Sequence, residues 1–211
     1  MVDAYASMRR DHSHAAWERW QQAAVAYHLS RNPADRPFVR PASDHVPTVS
    51  EIGARADALN RLHRKMTDVD AQAVDRAEYS VRTAWFQELI AGLYDPVYRS
   101  REAMRGGDTA SAETLVRFLE ADVYCFRSGY VTADVLDTMK RPVLDEGVND
   151  RLRAVVLAAI DGNDRREFRA FIRLARSVDS EPLRSAIEAR LESPMPRVQR
   201  HARWMLAGLR P

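Results

Sequence analysis

The sequence contains little cysteine, little glycine and no long apolar run. Cys125 is the only cysteine among 211 residues, so an intrachain disulfide and a cysteine-based metal cluster are excluded. The longest clean apolar run covers residues 154–160, which is too short to cross a bilayer. The first residues, MVDAY, lack the basic start and apolar core of a secretory signal peptide. These absences predict a cytoplasmic protein with no membrane partner.

Lysine is also rare, because only Lys65 and Lys140 among the 32 basic residues are lysines. This skew is typical of a GC-rich bacterial genome, although the arginine fork is also the better ligand for carboxylates and phosphates. The charge is uneven: residues 151–211 hold 13 arginines and 7 acids, whereas residues 1–150 hold 19 basic residues and 23 acids. The imbalance predicts an anionic partner for the C-terminal part, or electrostatic contact between the two parts.

Helix-forming residues dominate the chain. Alanine, leucine, arginine and glutamate are frequent and no alternating strand pattern occurs, so the sequence predicts an all-α fold. Asp95-Pro96 is expected to end one helix, and Gly129 to cap the C-terminus of another. The connections are short, which favours antiparallel packing of successive helices. The predicted helices cover about residues 13–29, 51–66, 70–92, 109–129, 132–141, 147–161, 164–178, 181–192 and 196–209.

Three segments are predicted along the chain. Residues 1–48 comprise an N-terminal helix and a linker or strap with four prolines between residues 32 and 47. Residues 49–107 form an N-terminal helical subdomain of irregular helices, and residues 108–211 form helical repeats. Gly106-Gly107 is expected to be the hinge between the second and third segments.

The apolar positions of the last segment repeat. In the final helix they are spaced by four, four and three residues, and a similar phase occurs 46 residues upstream. The two sets are Leu152, Val156 and Ile160, and Val198, Ala202, Leu206 and Leu209. Together with the helix at 181–192, the final helix resembles a HEAT repeat, and the additional helix at 164–178 gives an armadillo-like unit. The resemblance implies antiparallel hairpins stacked as a short right-handed solenoid, a class made up mostly of scaffolds and binding surfaces.

Four arginines, spaced by three, four and three residues, form a stripe on the helix predicted at 164–178. The stripe consists of Arg166, Arg169, Arg173 and Arg176. The apolar face of the same helix is predicted to consist of Phe168, Phe171, Ile172 and Ala175. No acid lies within the stripe, so its side chains repel one another unless an anion sits opposite. Two interpretations stay open: an anion-binding face, or a solvated face that pairs with Asp161, Glu188 or Glu192 of neighbouring helices.

The final helix presents a second basic surface. If its apolar stripe faces the core, Arg197, Arg200 and Trp204 lie on the opposite side. An exposed tryptophan beside arginines is typical of protein interfaces and can also stack on a nucleic-acid base. Alternatively, Trp204 packs on a neighbouring helix or closes the end of the stack. His201 is expected at the half-buried edge of the apolar stripe.

Signatures of metal binding and catalysis are weak. The six histidines, including His12 and His14, lack ligand spacing to cysteine or carboxylates, so no metal and no cofactor are predicted. Neither a glycine-rich phosphate loop nor a serine nucleophile elbow occurs. One aromatic group is expected in the core, at the junction between the N-terminal helices and the repeats. It comprises Phe118, Tyr124, Phe126 and Tyr130.

Three functions are compatible with these features. The first is a non-catalytic interaction protein of adaptor, inhibitor or immunity type, which binds an acidic protein partner. Its binding surface would comprise Arg166, Arg169, Arg173, Arg176, Arg197, Arg200 and Trp204. The second is nucleic-acid binding on the same surface, with HEAT-like DNA-repair glycosylases as a fold analogy. The third is an enzyme with carboxylates in a pocket between the halves, drawn from Glu78, Glu88, Glu120 and Asp122. No catalytic residue is predicted, and the oligomeric state stays open.

Overall fold

The computed structural model describes residues 45–67 and 76–209, together with four positions between residues 19 and 26; of residues 65, 67 and 76–80 it describes the backbone alone. These residues are all-helical, without a strand, so the all-α prediction is confirmed. The eight described helices are α1 (Val49–Thr67), α2 (Arg76–Arg105), α3 (Ala112–Glu120), α4 (Ser128–Met139), α5 (Glu146–Asp161), α6 (Phe168–Ser177), α7 (Glu181–Ala189) and α8 (Pro196–Leu209). Short 3-10 turns cover Thr109–Ser111 and Arg190–Glu192.

Several predicted elements fall outside this part of the chain. The predicted helix at 13–29 and most of the proline-rich segment at 32–47 lie outside the described residues. Within 45–67 and 76–209, no helix has the length and apolar character needed to cross a membrane. The predicted division of the chain into segments 1–48, 49–107 and 108–211 stays a prediction.

Polar side chains fix the starts of several helices. Thr48 and Glu51 form a capping box at α1: the Glu51 N–H donates to Thr48 Oγ1 over 3.2 Å and the Thr48 N–H donates to Glu51 Oε2 over 2.7 Å. Asp145 accepts the N–H of Val148 over 2.9 Å at the start of α5. The side chain of Ser180 likewise accepts a backbone N–H, that of Leu183, at the start of α7. These caps satisfy backbone donors that no helical carbonyl can reach.

The helix predicted to end at Asp95-Pro96 continues to Arg105, so the predicted end is wrong. Pro96 has no N–H, and its position in α2 leaves the carbonyl of Gly92 without the usual helical donor. The buried guanidinium of Arg55 supplies that donor, because its Nη1 donates to the Gly92 oxygen over 3.0 Å. A long-range side-chain hydrogen bond thus replaces the one that proline removes.

The helix predicted to reach Gly129 ends at Glu120, so the proposed cap at Gly129 is also wrong. The helical path is interrupted at Asp122 and Arg127, which adopt left-handed backbone angles with φ of 44° and 62°, respectively. The Tyr94 hydroxyl donates to the carbonyl of Phe126 over 2.5 Å and so fixes the connection between the two left-handed residues. Gly129 instead lies in the first turn of α4.

The chain divides into two compact units. Unit 1 contains residues 1–45 and 54–93, and unit 2 contains residues 46–53 and 94–211. The described core of unit 1 is apolar and includes Leu59, Leu62, Val81, Trp85, Phe86 and Leu89.

Unit 2 has a continuous core formed by α3 to α8. Helix α3 contacts α4 and α5, α4 contacts α6, and α6 contacts α8. Helix α5 contacts α6, α7 and α8, and α7 also contacts α8. The predicted inward positions of α5 are buried, namely Leu152, Val156 and Ile160.

The inward faces of α6 and α8 differ from prediction by one position each. In α6, Leu174 is fully buried, whereas Ile172 is half-buried at the edge. In α8, Met205 is fully buried and Leu206 is half-buried. Both helices are in contact with several neighbours, so each buries a wider face than a single stripe.

Candidate anion-binding groove

An open groove of about 510 Å³ lies where the connection between α5 and α6 meets α8. Its lining combines three arginines, two aromatic rings, one histidine and one acid. The lining residues are Asp164, Arg165, Arg166, Phe168, Arg200, His201 and Trp204. The groove brings together three of the seven residues predicted for the binding surface, namely Arg166, Arg200 and Trp204.

Trp204 and Arg200 form one wall of this groove. The indole is 50% exposed and packs edge-on against Phe168, with 6.1 Å between ring centroids. The guanidinium carbon of Arg200 lies 5.4 Å from the indole centroid, in the range of a cation–π contact. Helix α8 therefore holds an exposed aromatic ring and a cation in a defined arrangement.

His201 forms the floor of the groove, and the expectation of a half-buried edge position is wrong. Its side chain is 1% exposed and stacks on Phe168, with centroids 4.6 Å apart. Nδ1 lies 3.0 Å from the carbonyl oxygen of Ile160, and Nε2 lies 2.8 Å from Asp164 Oδ1. Carbonyls and ionised carboxylates only accept, so each of these two contacts is a hydrogen bond when the ring nitrogen that faces the oxygen carries a hydrogen.

Asp164 carries the only carboxylate that lines the groove. Its Oδ1 accepts from Arg200 Nη2 over 2.6 Å as well as from His201. The hydrogen bond from Arg200 and, next, that from His201 hold the pKa of Asp164 below its usual value. Asp164 is thus a charged, exposed carboxylate held by two donors of α8.

Arg166, which lines the groove, contacts Tyr130 of α4 beside it. Arg166 Nη1 donates to the Tyr130 hydroxyl over 2.9 Å, and the Arg166 guanidinium carbon lies 5.4 Å from the ring centroid. The prediction that this tyrosine belongs to a core aromatic group is wrong, since it is 64% exposed. In that group Phe118 is buried, whereas Phe126 is exposed and Tyr124 is 93% exposed. Tyr124 and Phe126 lie between the left-handed residues Asp122 and Arg127, in the connection between α3 and α4.

The other predicted arginines lie outside the groove. Arg173 pairs with Asp137 of α4 over 3.1 Å, and not with the acids considered from the sequence. Asp161, one of those acids, instead pairs with Arg190 over 2.7 Å. Arg176 donates to the carbonyl of Gly208. The stripe on α6 is therefore partly used to hold α4 and α8 in place.

Much of the predicted basic surface has no acidic partner. Arg197 donates to Asn163 Oδ1 over 3.0 Å, which leaves its charge uncompensated. Arg166 and Arg176 bind neutral oxygens, and Arg169 has no ion pair within residues 45–67 and 76–209. Buried nitrogens without a hydrogen-bond partner include Nε of both Arg197 and Arg200. Arg166, Arg169, Arg176 and Arg197 therefore carry positive charge that no acid within the described residues compensates, whereas Arg200 is paired with Asp164.

The carboxylates considered for an enzyme are held mainly in ion pairs. Glu120 accepts two hydrogen bonds from Arg151, each over 2.7 Å, and Asp122 pairs with Arg165. Glu88 is half-buried in unit 1, and the side chain of Glu78 lies outside the described residues. Among the described carboxyls with a shifted pKa, every shift is downward, as in Glu113, where the hydrogen bond from Arg151 is the main cause.

A second cavity and the grouping of possible metal ligands bear on the enzyme hypothesis. A cavity of about 190 Å³ between α3, α5 and α6 has mostly apolar walls that include Val155 and Phe171, and Glu120, Asp122 and Arg165 also line it. In the described ranges, no three histidine, cysteine, aspartate or glutamate side chains are grouped to hold a metal ion. His12 and His14 lie outside these ranges.

Comparison with protein-family models, with curated proteins and with solved structures finds no match to this chain.

Proposed function

We propose that this chain is a non-catalytic interaction protein, of adaptor, inhibitor or immunity type, whose unit 2 binds an acidic segment of a partner protein. The binding site is the groove between Arg166 and Trp204. The observation that carries the proposal is the pairing of exposed aromatic rings with arginines on both sides of one groove. Tryptophan, tyrosine and arginine are the residues most enriched at energetically dominant positions of protein interfaces.

The charge of unit 2 supports a short acidic protein segment as the ligand. Unit 2, which comprises residues 46–53 and 94–211, holds 20 basic and 19 acidic side chains, so its net charge is only +1. Proteins that track a phosphate backbone gain affinity by neutralising many phosphates with a broad basic surface. Here the positive charge is local, at the groove and at the adjoining Arg169 and Arg197, which suits a few carboxylates.

We also propose that α3 to α8 form a short HEAT/armadillo-like solenoid. In support, the contacts join α3 to α4, α5 to α6 and α7 to α8 as pairs, while α3, α5 and α7 contact in series, as do α4, α6 and α8. The first helices of the pairs begin at Ala112, Glu146 and Glu181, at intervals of 34 and 35 residues. This spacing favours a two-helix unit, which is shorter than the offset of 46 residues found in the sequence.

The solenoid proposal gives the groove a place in the fold. Tyr130 lies on α4, Arg166 lies just before α6, and Arg200 and Trp204 lie on α8. The groove thus lies between the start of α6 and α8, and Tyr130 of α4 adjoins it through Arg166. Stacked repeats of this kind bind partners along one face. We also propose, from the composition, that the protein is bacterial and cytoplasmic.

Binding of single-stranded nucleic acid is the second candidate. It is favoured by four exposed aromatic rings that each lie close to an arginine, on which bases could stack. The pairs are Tyr98 with Arg101 at 5.5 Å, Phe126 with Arg127 at 5.2 Å, Tyr130 with Arg166 at 5.4 Å, and Trp204 with Arg200 at 5.4 Å.

Fluorescence anisotropy separates the two candidates. The probes are a fluorescein-labelled octaglutamate peptide, an octaglutamine peptide, and single-stranded DNA and RNA oligonucleotides, each at low and near-physiological salt. We expect micromolar binding of octaglutamate alone, weakened at least tenfold by Arg166→Gln with Arg200→Gln.

The matched control is Arg105→Gln with Arg184→Gln. It removes two charges from similarly exposed arginines of unit 2 that pair with Glu102 and Asp179. An equal loss of binding in both double variants would contradict a role of the groove. Tight oligonucleotide binding that the groove variant abolishes would favour the second candidate.

A further inference from the structure

Asp164 is an unusual member of a groove that is otherwise cationic and aromatic. It is the only acid in the lining, and its side chain is 66% exposed. Even so, one oxygen of Asp164 receives hydrogen bonds from both Arg200 and His201, whereas Oδ2 accepts none within the described part of the chain. One oxygen of the carboxylate therefore binds both Arg200 and His201, while the other side of the carboxylate faces solvent.

We propose that Asp164 is an internal substitute for a carboxylate of the partner, which displaces it from Arg200 and His201 on binding. This inference rests on the proposed function, since it describes how the acidic segment engages the groove. In the free protein Asp164 occupies the anion site, and in the complex an aspartate or glutamate side chain of the partner takes over both hydrogen bonds.

The position of Asp164 permits this exchange. It lies in the connection between α5 and α6, outside both helices, and follows Gly162 and Asn163. An exposed ion pair contributes little to stability, because solvent already screens its charges. Exchange of Asp164 for another carboxylate therefore costs little, provided that the incoming carboxylate also accepts from His201, and the helices that hold the two donors stay in place.

The buried ring of His201 determines which ligand can replace Asp164. Nδ1 is already engaged with the Ile160 carbonyl, and Nε2 faces only the Asp164 carboxylate. If Asp164 leaves, Nε2 requires another acceptor, because an unpaired buried donor is costly. A carboxylate satisfies Nε2 and Arg200 Nη2 together, whereas an amide or an alcohol leaves the arginine charge uncompensated.

A second consequence concerns affinity. Because Asp164 competes with the ligand, the wild-type groove binds acidic segments more weakly than the same groove with a neutral side chain at position 164. Arg166 at the other side of the groove binds the neutral Tyr130 hydroxyl, so no internal acid competes with the ligand there. The groove is thus partly self-inhibited, and its affinity depends on one exposed acid.

The test compares Asp164→Asn with Asp179→Asn in titrations of the labelled octaglutamate peptide. Asp179 is the matched control because it also pairs with an arginine, Arg184, over 2.5 Å or more and lies away from the groove. Each substitution removes one negative charge and releases one arginine. We expect Asp164→Asn to bind the peptide about threefold more tightly, the size expected for loss of one exposed ion pair, and Asp179→Asn to bind as the wild type does.

The outcomes distinguish this inference from the proposed function. Unchanged or weaker peptide binding by Asp164→Asn overturns the inference, while wild-type binding that Arg200→Gln abolishes keeps the function. Equal tightening by both variants reduces the effect to net charge and also overturns the inference. Absence of peptide binding in the wild type and in Asp164→Asn overturns both.

If Asp164→Asn folds poorly by circular dichroism, Asp164→Ser replaces it in the test. Serine also offers a neutral acceptor, so Asp164→Ser is also expected to bind the peptide about threefold more tightly than the wild type does.

Discussion

His201 Nε2 lies 2.8 Å from Asp164 Oδ1, a contact that joins a fully buried ring of α8 to an exposed carboxylate at the groove. The opposite nitrogen of the ring binds the carbonyl of Ile160 at the end of α5. One imidazole therefore connects the core, the end of a neighbouring helix and the candidate binding site. We therefore expect His201 to contribute both to the stability of unit 2 and to ligand binding.

Substitution of His201 by alanine should destabilise unit 2. The change removes a buried ring stacked on Phe168 and leaves the Ile160 carbonyl without its donor, which together cost about 3 kcal/mol. Urea unfolding followed by circular dichroism measures this loss. Arg203→Ala, two positions away on the exposed face of α8, should shift the free energy of unfolding by less than about 0.5 kcal/mol. Equal effects of the two substitutions would refute the structural role given to His201.

Gly208 of α8 lies close against Ile172 of α6. A Cβ atom at this position would lie 2.1 Å from Ile172 Cγ2, far inside a van der Waals contact. We expect Gly208→Ala to lower the free energy of unfolding by about 1–3 kcal/mol, more than the gain in helix propensity returns. In an Ile172→Ala background the same change should be neutral or stabilising, because the obstructing methyl group is gone.

The control for this clash is Gly53 in α1, where an added Cβ meets no atom within 4 Å. Gly53→Ala should raise the free energy of unfolding by about 0.5–1 kcal/mol through lower backbone entropy in the unfolded chain. Thermal or urea unfolding of both alanine variants checks the pair. A stabilising Gly208→Ala would show that the two helices are not packed this closely.

Arg55 and Pro96 are expected to be energetically coupled, because the arginine serves the carbonyl that the proline leaves free. Arg55→Met should cost about 2 kcal/mol, since it deprives the Gly92 oxygen of a charged donor. In a Pro96→Ala background the restored N–H binds that oxygen, and Arg55→Met should cost about 1 kcal/mol less. Urea unfolding of the four proteins of this double-mutant cycle gives the coupling energy. Strict additivity would mean that Arg55 does not compensate for the proline.

Acid should destabilise the protein through its paired carboxylates. Hydrogen bonds from Arg200 and Arg184 hold the pKa values of Asp164 and Asp179, respectively, below their usual range in the folded state. A group whose folded pKa is depressed adds stability above its unfolded pKa, about 4, and loses it as the pH falls through the folded value. Urea midpoints should therefore be constant down to about pH 5 and fall below about pH 4. The fall should be smaller in Asp179→Asn, and a midpoint that rises on acidification would contradict the assignment.

The helices could largely be predicted from the sequence because local chemistry determines them. Ser180 directly precedes the predicted start of α7, and Asp145 lies two residues before the predicted start of α5; their side chains cap the helices as short-range signals of this kind do. The predicted end at Pro96 failed for a non-local reason. The donor that allows the helix to continue is Arg55, 37 residues before the carbonyl that it binds, and no pattern around the proline reveals it.

The candidate site could be predicted only in part. Periodicity placed Arg200 and Trp204 on the outer side of α8, and both line the groove. It could not identify Asp164 or Tyr130, because these residues join the site through packing of different helices and not through spacing within one helix. His201 was misplaced for a related reason: a polar residue beside an apolar stripe is buried here because Ile160 and Asp164 supply acceptors for both ring nitrogens.

The most direct test of the central claim is a titration of ¹⁵N-labelled protein with unlabelled octaglutamate peptide, followed by NMR of the backbone, the tryptophan indole and the arginine Nε–H groups. The account predicts that Trp204, Arg200 and Arg166 shift together and saturate with one affinity, while Arg184 on α7 stays unchanged. Shifts centred elsewhere, or no shift at millimolar peptide, would contradict the assignment of the groove as the binding site.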